Sequence, residues 1–79
     1  MKQKTLQCIG WIGVLLILGA YILVTFSYLS PENIWYPILN IVGSLGIVIE
    51  AGAKRDWQPT ILNIVWILVA ILAILKILL

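Results

Sequence analysis

The segment from Leu6 to Leu29, LQCIGWIGVLLILGAYILVTFSYL, contains no formal charge. A transmembrane helix needs about 20 mostly apolar residues to cross a hydrocarbon layer of roughly 30 Å, and this run supplies them. Two more uncharged runs follow, between Glu32 and Glu50 and between Asp56 and Lys76. The breaks between them have turn chemistry: Ser30-Pro31-Glu32-Asn33 in the first, Lys54-Arg55-Asp56-Trp57-Gln58-Pro59 in the second. The pattern predicts an all-α fold, one integral membrane domain with spans over residues 6–29, 33–53 and 60–79. Ser30 is the expected N-cap of the second helix, with Pro31 and Glu32 in its first turn. Both connections read as only a few residues long, so consecutive helices should lie antiparallel and in contact.

Composition agrees. The chain is 63% hydrophobic and 10% charged, against about 25% charged in soluble domains, so there is too little polar surface to coat a water-soluble globule. The net charge of +2 is no nucleic-acid signal, because the basic residues sit at helix ends and form no patch. With no histidine and one cysteine, Cys8, the sequence offers no intrachain disulfide, metal cluster or cofactor motif, and an enzyme is not expected. The first apolar run is too long for the h-region of a cleaved leader and has no small-x-small site after it, so it reads as a span.

Lys2, Lys4, Lys54 and Arg55 fall at one end of the bundle, and Glu32 at the other. By the positive-inside rule the N-terminus and second loop are cytoplasmic and the first loop and C-terminus lie outside. Lys76 is the exception, near the outer end of the third span, where its long stem can snorkel to the headgroups. Trp11 and Trp57 fit the inner aromatic belt; Tyr28, Trp35 and Tyr36 fit the outer one.

Polar groups within spans are costly and mark the places to look for function. At about 1.5 Å of rise per residue, Tyr21 and Asn40 share one depth and Glu50 and Asn63 another. Asn40, Gly43, Gly46 or Ile47, and Glu50 recur at helical spacing, as do Asn63, Trp66, Ala70 and Ala73, which places a polar, small-residue stripe on each helix. Asn63, Trp66, Asn40, Tyr21 and Glu50 are the candidate substrate-binding residues: two amides with donors and acceptors, an indole that can stack on a flat solute, a phenol and a carboxylate. Each also has a structural role open to it. Asparagine joins helices, tryptophan fills space between them, and Glu50 is placed to pair with Lys54 at i+4. Gly10, Gly13, Gly43 and Gly46 read as points where helices approach closely.

The layout of helix, short turn, helix, basic turn, proline and helix, with Asn63 early in the last span, resembles the three-helix unit of SemiSWEET sugar transporters and the wider PQ-loop superfamily. The stretches Gly10-Trp11-Ile12-Gly13, Leu39-Asn40-Ile41-Val42-Gly43 and Leu62-Asn63-Ile64-Val65-Trp66 resemble more closely an uncharacterised family of small bacterial membrane proteins labelled permease-like. The SemiSWEET resemblance implies a half-transporter unit whose third helix lies between the first two, and it makes Asn63 a substrate contact. Ile47 stands where that family has a tryptophan, and the first helix lacks a proline-glutamine motif.

Three helices cannot enclose a solute path, so the expected transporter is a homodimer of three-helix units carrying a small polar solute, with membrane lipid as its surroundings. The alternative is a non-transporting accessory subunit that packs its stripes against a partner membrane protein. A pore former is disfavoured because no helix has a continuous polar face.

Overall fold

The computed structural model describes residues 2–79, and within them every regular element is helical: α1 (Gln3–Thr25), α2 (Trp35–Ala53) and α3 (Trp57–Leu78). All three are long and apolar enough to cross a membrane, which marks the chain as a membrane protein. The molecule is a slab 38 Å long and only 17 Å thick; its long dimension exceeds the roughly 30 Å of a hydrocarbon core.

The helix ends differ by a few residues from the sequence expectation. α1 stops at Thr25, short of Leu29, because Ser27 takes a left-handed conformation (φ 64°). The amides of Ser27 and Tyr28 then donate to the carbonyls of Val24 and Leu23, the two bonds of a Schellman motif. α2 ends the same way: Arg55 is left-handed (φ 58°), and the amides of Arg55 and Asp56 donate to Gly52 and Ala51. Neither position holds the glycine that usually announces this motif.

Ser30 does not cap α2. Its hydroxyl donates to Glu32 Oε2 at 2.7 Å, the Ser30–Asn33 segment forms a turn of its own, and Asn33 Oδ1 accepts the Trp35 amide at 3.0 Å. The first connection therefore covers residues 26–34. Trp57, Gln58 and Pro59, read as linker, form the first turn of α3, where proline is tolerated because the first-turn amides have no intrahelical acceptor.

Burial is inverted relative to a soluble domain. The only buried apolar side chains among the described residues are Ala20, Ala51, Ala70 and Pro37, joined by Asn40, Ser44, Thr60 and Asn63. Leucine, isoleucine and tryptophan point outward, with Leu15, Leu62 and Trp11 all about 60% exposed or more. Lipid tails are as apolar as leucine, so burying large side chains between helices gains little there. Helices associate through small residues that allow close packing.

α2 occupies the centre. It packs against α1 on one side and α3 on another, while among the described residues α1 and α3 do not meet. The third helix therefore does not insert between the first two, as the SemiSWEET resemblance implied. The α1·α2 seam is glycine on glycine. A Cβ at Gly43 would lie 2.6 Å from the Gly13 carbonyl oxygen, and one at Gly46 would lie 2.8 Å from that of Ile9. These glycines are close-approach points, as their sequence pattern indicated.

The stripe on α2 is divided between two neighbours. Gly43, Gly46 and Glu50 face α1, whereas Asn40 lies beside Trp66 and Ala70 of α3. At about 100° per residue the two faces are roughly a quarter of a turn apart, with Ile47 between them.

Candidate functional site

Because α1 and α3 are held apart by α2, a cleft opens between them, and it continues along the α2·α3 groove to the first loop. Its recesses share walls. Ile17, Ile47, Leu62, Asn63 and Trp66 line one. Val14, Ile17, Leu18, Tyr21 and Ile47 line its neighbour toward α1. Trp66 also borders a recess of about 260 Å³ with Tyr36, Pro37, Asn40, Ala70 and Ala73. Pro31 and Ala73 then lead to the mouth at the first-loop end, flanked by Glu32 and Lys76.

Asn63, Trp66, Asn40 and Tyr21 thus line one connected surface. Trp66, 48% exposed, stands at the junction between the Asn40 and Asn63 recesses. Helical phase explains the arrangement: Asn63 and Ala70 turn toward α2, while Trp66 and Ala73 sit on the edge of the same stripe. Tyr21, 62% exposed, is on the α1 wall.

The two amides are anchored alike. Asn40 Nδ2 donates to the Tyr36 carbonyl and Asn63 Nδ2 to the Pro59 carbonyl, each at 2.8 Å and each one turn back on its own helix. These bonds fix the rotamers without joining helices. Among the described residues neither Oδ1 accepts a hydrogen bond, so each amide keeps an acceptor. Thr60 makes the same backward bond, to the Asp56 carbonyl at 2.6 Å. Ser44, one turn beyond Asn40, is wholly buried, and its hydroxyl has no hydrogen-bond partner among the described residues.

Glu50 is away from the cleft. Its carboxylate lies over Gly10, where an added Cβ would overlap it, and pairs with Lys54 Nζ at 2.9 Å. This is the i+4 pairing open to it from sequence, on a part-exposed turn.

Two cleft residues were missed as site candidates. Glu32 was read as a turn residue and Lys76 as an outlier of charge placement, yet they share the mouth. The Glu32 carboxyl is held below the ordinary carboxylate range first by the Ser30 hydroxyl, then by its own backbone amide, with a smaller contribution from the Lys76 charge; slight desolvation opposes these. The available signal was the placement of Lys76 one turn beyond Ala73 on the stripe edge.

No curated protein and no solved structure matches the chain, and the comparisons lend no support to the SemiSWEET and PQ-loop likeness. A family model does match, over residues 6–79. The chain belongs to that family, an uncharacterised one.

Proposed function

We propose that the protein is a small-solute permease of the bacterial inner membrane, acting as a homodimer in which two clefts face each other across a twofold axis. The observation that carries this is the cleft itself. Asn63, Trp66, Asn40 and Tyr21 line a surface that one copy leaves open along its length. A second copy related by a twofold axis would close it with the same residues, since such an interface is self-complementary. The free amide oxygens of Asn40 and Asn63 supply acceptors for a donor-bearing solute, and Trp66 supplies a flat apolar wall.

A second reading, the accessory subunit, is favoured by one feature: both amide nitrogens are used within their own helices, leaving an almost wholly apolar surface for a partner helix to cover. Single cysteines at positions 40, 63 and 66, in a Cys8→Ala background in nanodiscs, separate the two. The permease reading expects disulfide crosslinking between copies at position 66 and labelling of 40 and 63 by a water-soluble maleimide. A monomer, or a dimer in which positions 40 and 63 resist the reagent, would refute it.

A further inference from the structure

The mouth of the cleft has a composition the rest of the cleft lacks. Glu32 and Lys76 carry opposite charges and line one recess of about 510 Å³, with Pro31, Ala73 and Ile77 completing it. They are not paired with each other: among the described residues the only ion pair within 4.0 Å is Glu50–Lys54. Ser30 holds the Glu32 carboxylate by one oxygen. Lys76 lies in the last turn of α3. Past Ala73 the surface becomes a mostly apolar trough that continues to Trp66, with Tyr36 and the Asn40 amide also on its walls. The rise from Trp66 to Lys76 is about 15 Å, the depth of one leaflet of a hydrocarbon core of about 30 Å.

A separated charge pair above an apolar trough one leaflet deep has the form of an amphiphile with a dipolar head. We propose that this mouth binds a zwitterionic phospholipid of the leaflet it faces, its phosphate on Lys76 and its ammonium on Glu32, with one acyl chain laid along Ala73 and Ala70 to Trp66. An anionic lipid would satisfy Lys76 and be repelled by Glu32, so the pair selects for a head carrying both charges. A lone Lys76 would need only to snorkel; the acidic partner across the recess makes the site selective. This goes beyond the permease reading and rests with it on an open cleft, the acyl chain reaching as far as the Trp66 wall.

The test is native mass spectrometry of the full chain released from bilayers containing equal amounts of phosphatidylethanolamine and phosphatidylglycerol with identical acyl chains. The wild type should retain phosphatidylethanolamine in preference by up to about fivefold, the size of one exposed ion-pair contribution. Glu32→Lys, at an exposed loop position, should reverse the preference, and Glu32→Gln should weaken it. Equal retention of the two lipids, or a preference unmoved by Glu32→Lys, overturns the proposal. So does a mouth filled by a second copy, seen as Glu32–Lys76 crosslinking between chains with no lipid retained. Maleimide labelling at positions 40 and 63 reads the permease premise separately, so a wet dimer that retains no lipid removes only the lipid site, and selective retention by a monomer removes only the permease.

Discussion

Replacing Gly43 by alanine tests the seam that builds the molecule. The new Cβ would sit 2.6 Å from the Gly13 carbonyl oxygen and 2.6 Å from Ile17 Cγ1, whereas ordinary contact begins near 3.4 Å. Ile17 can rotate away, but the Gly13 carbonyl belongs to the α1 backbone, so the helices must separate there by 3.4 − 2.6, or about 0.8 Å. A gap of that size forfeits a quarter to a half of the dispersion well for the atom pairs it affects. Overpacking of this kind costs about 1–3 kcal/mol. Alanine also gains about 1 kcal/mol over glycine in a helix interior, which would mask part of the loss. Gly19 supplies the correction, because a Cβ there meets nothing within 4 Å and Gly19→Ala collects the propensity gain alone. The expected difference between the two variants is therefore about 1–3 kcal/mol in favour of Gly19→Ala. Energy transfer between labels on α1 and α2, followed through an SDS titration in mixed micelles, measures it. Equal stability of the two variants would show that α1 and α2 do not meet backbone to backbone at this seam.

The left-handed residues that close α1 and α2 give a second stability test. Ser27→Gly and Arg55→Gly should each stabilise by about 1 kcal/mol in the same titration, since a side chain makes this conformation costly; no gain at either would argue against the Schellman ends. At the mouth, Ser30→Ala removes the leading cause of the low Glu32 pKa, so carboxyl NMR should show Glu32 titrating at higher pH than in wild type. The sign follows from a native value depressed below the unfolded one: what the ionised Glu32 contributes to the loop is present above the unfolded value and lost as pH falls through the native one. An unmoved titration would remove Ser30 as the cause.

Part of the site was legible in the residues and part was not. Asn63 and Trp66 could be grouped by their stripe and Tyr21 and Asn40 by their depth, because phase and rise are properties of a single helix; that Asn40 joins Trp66 was not legible, since it depends on how α2 and α3 pack. That Glu50 belongs to a different face from Asn40 required knowing where α1 packs. The end of α1 was placed late because Ser27 takes a left-handed conformation with no glycine to announce it. Lys76 looked misplaced because it breaks the positive-inside pattern; span counting already puts it at the same end as Glu32, and the tertiary structure adds that the two line one recess.

The sequence by itself determined that the chain is a three-span membrane protein with small residues at its contacts. Hydropathy and charge spacing are local quantities, and a bilayer imposes its thickness on every span alike. The tertiary structure alone decided that α2 lies in the middle, that its polar stripe serves two neighbours, and that a cleft remains between α1 and α3. The physical reason is the short reach of helix packing in lipid. Partners are chosen by which small-residue faces let backbones approach to within a few ångströms, and that fit belongs to pairs of helices rather than to any one of them.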